Sequence, residues 1–131
     1  MKRTILKPSS LHTPFSTYSH GIKVSGVNEI IFCAGQVAGD KDGNIVGKGD
    51  FWKQGHRVME NLRDVLAEGG ATFDNVVKAT TFVVGQQYAQ PARDLCGMYF
   101  DKDNPPGNTL VVCQGLADPE FLVEIQAIAV V

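Results

Sequence analysis

The sequence predicts an α+β fold in which two helices cover one face of a mixed β-sheet. Two strongly β-branched runs predict the sheet, VVKATTFVV (76–84) and LVEIQAIAV (122–130). A long apolar stripe at helical spacing after Asp50 predicts the first helix. The order of the segments, β-β-α-β-α-β, separates stretches of sheet by two helices, which is the α+β pattern.

The elements follow from the residues in turn. Residues 1 to 20 are polar and proline-containing and read as an arm along the surface. Ile22 to Ser25 and Glu29 to Val37 read as two strands around a turn at Gly26 to Asn28. GDKDGNIVGKGD (39–50) is a loop rich in turn formers, with room for a short strand at Ile45–Val46. Asp50 suits a helix N-cap, and Phe51, Gly55, Val58, Leu62 and Val65 form the stripe, widened by Trp52, Met59 and Leu66 as core residues. Gly69-Gly70 ends that helix. Pro91 fits the first turn of a second helix, whose face is Ala92, Leu95, Cys96 and Tyr99, and Pro105-Pro106 stop it. Thr109 to Cys113 and Leu122 to Val130 are the closing strands. The runs 76–84 and 122–130 are apolar on both sides of the pleat, so the face away from the helices is expected to be buried against another subunit.

Composition narrows the function. A chain of 131 residues, 44% hydrophobic and 20% charged, is sized for one domain spanning 1–131 around one core. A net charge of −2 and the lack of a basic-aromatic stripe argue against nucleic acid as a partner. No stretch approaches the roughly 20 consecutive apolar residues of a membrane helix, and no apolar run follows the basic N-terminal residues as in a signal peptide. Cys33, Cys96 and Cys113 form no CxxC pair and leave one over, which fits reduced thiols in a cytoplasmic protein. The histidines at 12, 20 and 56 show no ligand spacing with the cysteines, so no metal site is expected.

Two residues break the pattern of the last strand, and the carboxylate is the costlier. In FLVEIQAIAVV (121–131), nine of eleven residues are apolar, yet Glu124 and Gln126 share a face with Ile128. A carboxylate in apolar surroundings is costly unless it is paired, hydrogen-bonded or protonated. It is either a sheet-edge glutamate in water or a carboxylate at a cleft, with a tuned pKa, available for acid–base work.

Five stretches, taken together, resemble the Rid family of reactive-intermediate deaminases, also called YjgF/YER057c/UK114: YSHGIKVSG (18–26), IIFCAGQVAGDKDG (30–43), ENLRDVLAEGGATFDNVVKATTFV (60–83), YF with PPGNTLVV (99–112) and GLADPEFLVEIQAIAV (115–130). The resemblance implies a chorismate-mutase-like fold. It also implies a homotrimer whose sheets form a central barrel, with ligand clefts between subunits. Active members hydrolyse imines and enamines such as 2-aminoacrylate to a keto acid and ammonia, without a cofactor.

Carried over residue by residue, the family glutamate that handles water falls on Glu124, the family tyrosine on Tyr18, and the small residues whose backbone faces the cleft on Ala34 and Gly35. The family arginine, which grips the substrate carboxylate, has no counterpart. Asn108 takes its place in PPGNT, or Thr109 if the preceding loop is aligned without a gap. Either way a neutral residue replaces a planar charged fork. Losing such a charge-assisted pair costs roughly 1.5–3 kcal/mol of binding, enough to change the preferred substrate. Arg93 could contact a carboxylate from another direction, or stand in solvent paired with an acid. His20 and Cys113 read as a second-layer histidine and a structural thiol. Three functions stay open: an imine or enamine deaminase of altered specificity, a non-catalytic small-metabolite-binding trimer, and a specialised catabolic enamine hydrolase acting on an amino-muconate-like substrate.

Overall fold

The long helix begins where the sequence places it. In a computed structural model, which describes all 131 residues, the Asp50 carboxylate accepts a hydrogen bond from Lys53 N at 3.0 Å and caps α1, Phe51–Glu68. Before it come three strands, β1 (Lys2–Leu6), β2 (Gly21–Ser25) and β3 (Ile30–Gln36); after it come β4 (Val76–Val83), α2 (Ala89–Tyr99), β5 (Gly107–Val112) and β6 (Val123–Val130). Single 3-10 turns, Phe73–Asn75 and Gln86–Tyr88, lead into β4 and α2.

The main sheet has the order β3-β6-β4-β5. β6 runs antiparallel to both β3 and β4, whereas β4 and β5 are parallel, joined by the α2 crossover. The sheet is therefore mixed, with β3 and β5 at its edges. Val123, Ile125, Ala127 and Ala129 of β6 point into the core, where Val58, Met59, Leu62 and Leu66 of α1 and Ala92 and Leu95 of α2 meet them, all essentially inaccessible to water. Each such large apolar side chain contributes about 1.5–3 kcal/mol by burial.

Four expectations need correction. The first six residues are not a surface arm but hold β1, paired antiparallel with β2 in register Lys2↔Ser25 to Leu6↔Gly21. Alternation was hidden there by Lys2, Arg3 and Thr4, and a long-range clip supplies the specificity: Arg3 donates to Asp74 O, Val76 O and Asn104 O at 2.9–3.0 Å. The element order is therefore β-β-β-α-β-α-β-β; β1 is the added element, and both closing strands lie where the sequence places them, a count that β-β-α-β-α-β leaves one short. Trp52 is 37% exposed and stands outside the core that Met59 and Leu66 join. Finally, α2 ends at Tyr99, six residues before Pro105, where Phe100 turns extended and its N–H still bonds Cys96 O at 2.9 Å.

The face of the sheet away from the helices is only partly apolar. It carries Lys78, Thr80 and Phe82 from β4 and Glu124, Gln126 and Ile128 from β6, in paired register. Phe32 and Ile30 of β3 are 74% and 55% exposed. The expectation of strands apolar on both sides therefore fails on this face: Thr80 pairs with Gln126 at its centre, and each end pairs a charged residue with an apolar one, Lys78 with Ile128 and Glu124 with Phe82.

One buried polar side chain fixes the approach to β6. Gln54 of α1 is fully buried. Its amide donates to Glu120 O at 2.8 Å and Gly47 O at 3.2 Å, and its oxygen accepts from Leu122 N at 2.9 Å. Gln54→Leu fits the volume but strands these backbone groups. It is expected to lower the unfolding free energy by about 1–3 kcal/mol, read from urea denaturation. A change within about 0.5 kcal/mol, the range of an ordinary surface substitution, would show that water replaces the amide.

Candidate functional site

β3 carries one extra residue at its centre. Cys33 pairs with Ala127 and Gln36 with Ile125, so Ala34 and Gly35 stand together opposite Gln126. This is a β-bulge, which bends a strand and re-aims its side chains. Glu124 lies on the uncovered face beside the bulge, and its side chain passes directly over the Gly35 backbone. A Cβ on Gly35 would touch the Glu124 carboxylate oxygen and lie 2.7 Å from its Cδ. Glycine is required here for close approach, since its φ is not in the left-handed range. The strand leaving the bulge is pinned from α1: Asn61 Nδ2 donates to Val37 O at 3.0 Å and Gly39 O at 2.9 Å. Glu124 is half-buried and unpaired; the only ion pair within 4.0 Å in the chain is Arg57–Glu60.

The remaining candidates gather elsewhere. A cleft of about 290 Å³ opens between residues 15–18, α2 and the β5 edge, and Tyr18, Arg93, Cys96, Asn108 and Thr109 line it. Neither Glu124 nor the bulge takes part. β6 and β5 lie two strands apart, roughly 10 Å at the usual 4.8 Å spacing. Asn108 pairs with Ala79 and so points to the helix side, while Glu124 pairs with Phe82 on the opposite face. One chain therefore holds two half-sites: Ala34, Gly35 and Glu124 near the β3 edge, and Tyr18, Arg93 and Asn108 at the β5 edge.

The cleft floor is a closed ring of three side chains. Thr81 Oγ1 donates to Asn108 Oδ1 at 3.2 Å, and Asn108 Nδ2 donates to Cys96 Sγ at 3.5 Å. Because the threonine proton is committed to Asn108, the Cys96 S–H donates back to Thr81 Oγ1 at 3.8 Å. Burial pushes the Cys96 thiol up from its usual value of 9.0, against the opposing effect of its hydrogen bonds with Thr81 and Asn108, so the ring keeps its proton at neutral pH. Neither Thr81 nor Cys96 was recognisable as a site residue from sequence, because only the β4–β5 register and the α2 packing bring them to Asn108.

Thr109 points to the uncovered face and accepts from Lys78 Nζ at 2.8 Å, with Lys78 also donating to Ala79 O at 2.9 Å. Burial lowers the Lys78 pKa from its usual 10.5. Arg93 makes no ion pair; Nη1 donates weakly to Gln90 Oε1 at 3.4 Å. The Tyr18 hydroxyl accepts from Phe15 N at 3.4 Å. His20 packs edge-on behind Tyr18, ring centroids 5.8 Å apart, and bonds His12 O at 2.7 Å. Cys113 donates to Val83 O at 3.5 Å and does not line the cleft. All three cysteines are free, and no group of three or more His, Cys, Asp or Glu side chains is placed to hold a metal ion.

Two helices on one face of a mixed sheet make this an α+β fold with solved counterparts. The model of the family described as endoribonuclease L-PSP matches residues 9–131. A RutC family protein of Synechocystis sp. is 32% identical over 99% of this chain and 98% of its own length, and one of Pyrococcus abyssi is 30% identical over 98% of each. Among solved structures, YyfB of Yersinia pestis, of the Rid family, superposes with a TM-score of 0.86 at 32% identity over the full length of both chains. YyfA of the same organism, also of the Rid family, gives 0.72 at 28%, over 99% of this chain and 100% of its own. The chain belongs to the Rid/YjgF family. No helix is long and apolar enough to cross a membrane.

The Glu124–Gly35 contact predicts a coupled pair of substitutions. Gly35→Ala should destabilise the protein by about 1–3 kcal/mol through overpacking, and most of that loss should vanish in the Gly35→Ala, Glu124→Ala double variant. Denaturation of the four proteins of this cycle measures it; additive effects would contradict the contact.

Proposed function

We infer that this protein is a hydrolytic deaminase of an imine or enamine metabolite, working as a homotrimer whose active cleft joins the β3-side half-site of one subunit to the β5-edge half-site of the next. The single observation that carries this reading is the placement of Glu124: half-buried, free of any ion pair, and seated over Gly35 on a face that leaves Phe32 74% exposed. Closed rings built from such head-to-tail contacts are a common route to trimers. Free thiols agree with a reducing cytoplasmic setting.

The chemistry is short. Glu124 holds a water by hydrogen bond and takes a proton as the water oxygen bonds to the C=N carbon, giving a carbinolamine. The carbinolamine collapses to a C=O group while the nitrogen gains protons and leaves as ammonia, so water and imine become keto compound and ammonia. The backbone at Ala34–Gly35 orients the substrate, and the Tyr18 hydroxyl bonds the substrate or the leaving nitrogen. Asn108 and Thr109 border the substrate tail. With two of Asn108's bonding groups committed to Thr81 and Cys96, this position supplies no charge. That neutral position also favours a second reading, a small-metabolite-binding trimer that performs no hydrolysis.

Ammonia and keto-acid release from freshly generated imines of acidic, neutral and aromatic amino acids tests the reading. Glu124→Gln is expected to remain folded and lose about 10²–10⁴-fold in turnover, the usual worth of a positioned general base. Equal turnover by wild type and Glu124→Gln would remove Glu124 from the chemistry. No turnover by wild type, with activity gained in Asn108→Arg, would establish the binding reading instead.

A further inference from the structure

The β5-edge cleft contains one charged side chain and no acid. Arg93 is that charged side chain, and the lining otherwise offers the hydroxyls of Ser16, Thr17 and Tyr18 and the apolar surfaces of Phe15 and Leu110. An arginine beside a carboxylate is ordinarily paired with it, but Arg93 is not: its recorded side-chain hydrogen bond is the 3.4 Å one to Gln90 Oε1. The adjacent acid, Asp94, is engaged from the other side of the same glutamine, whose Nε2 donates to Asp94 Oδ1 at 2.9 Å. Gln90 thus stands between the two charges and leaves most of the guanidinium fork without a protein partner. On its outer side Arg93 borders a second hollow, which Asp94 and Lys102 also line, so the charges there balance and the net positive charge remains with Arg93.

We propose that Arg93 is the anion-binding residue of this cleft and that it selects a small organic monocarboxylate with an apolar body. The inference deepens, and for the identity of the reacting group rests on, the deaminase reading: the ligand is the imine of an apolar amino acid, gripped from α2. The floor position, Asn108, spends its oxygen and one amide hydrogen on Thr81 and Cys96, so the fixed charge comes from the helix wall. A single fork suits one carboxylate. A dicarboxylate would bring a second charge against Phe15 and Leu110 with no cation to meet it, and desolvating it there is unfavourable.

Binding of stable probes separates this inference from the catalytic reading. Phenylacetate, phenylacetamide and glutarate are titrated by calorimetry into wild type, Arg93→Gln, Arg93→Lys and Glu124→Gln, each checked for folding by circular dichroism. Phenylacetate is expected to bind wild type at least tenfold more tightly than the amide or glutarate. Arg93→Gln should weaken it about tenfold to hundredfold, the worth of a charge-assisted hydrogen bond, and Arg93→Lys should restore part of the loss. Glu124→Gln should still bind phenylacetate saturably while losing turnover, which separates binding by Arg93 from hydrolysis by Glu124. Arg93-dependent binding in a protein that turns over no imine would sustain the inference and sink the deaminase reading. Equal affinity for acid and amide, unchanged binding in Arg93→Gln, or no saturable binding by wild type would each overturn it.

Discussion

The close approach of Glu124 to the Gly35 backbone is the constraint on which the site depends. A carboxylate on a sheet face normally stands out into water, but here it lies across a neighbouring strand, and only a residue without a Cβ permits that. The bulge at Ala34–Gly35 provides the place, and α1 holds the bulge by bonding the chain that leaves it. The same helix, through Gln54, holds the loop that enters β6. Both strands that position Glu124 are therefore referenced to one rigid element, so the carboxylate is held from two directions without an ion pair.

Sheet topology then separates the rest of the site from it. β3 and β5 are opposite edges of one four-stranded sheet, and the residues near them point to opposite faces. No rearrangement of side chains within a chain unites Glu124 with Tyr18 and Arg93. In the account given above, a second copy completes the site, and the exposed Phe32 and Ile30 beside the bulge are the apolar surface that such a contact would cover. Under the proposed function, function and assembly would share one cause, the mixed sheet with helices on a single side.

Much of this was legible in the chain. The period-two pattern of 122–130 singled out Glu124, and the capping aspartate and the Gly69-Gly70 pair marked α1 to within a residue. β1 was not legible: KRTIL has no strong alternation, and its place depends on Arg3 reaching carbonyls more than seventy residues away. Trp52 was misjudged because a helical stripe cannot say how wide the buried face is. The Thr81–Asn108–Cys96 ring was invisible for a similar reason, since it joins β4, β5 and α2, three elements whose register no local pattern records. Sequence could show that position 108 carries no charge; only the structure shows that its amide is already engaged, and that Arg93 in the same lining has no acid partner.

The composite nature of the site is the central claim, and subunit complementation tests it most directly. Glu124→Gln and Arg93→Gln proteins, each defective in a different half-site, are unfolded together in equal amounts, refolded, and assayed for imine hydrolysis beside each variant refolded alone. If neighbouring chains compose each site, random assembly gives about a quarter of the clefts two intact halves, and activity returns to roughly that fraction of wild type. If both halves act within one chain, every site keeps a defect and the mixture does no better than the average of the two variants, which would contradict the account.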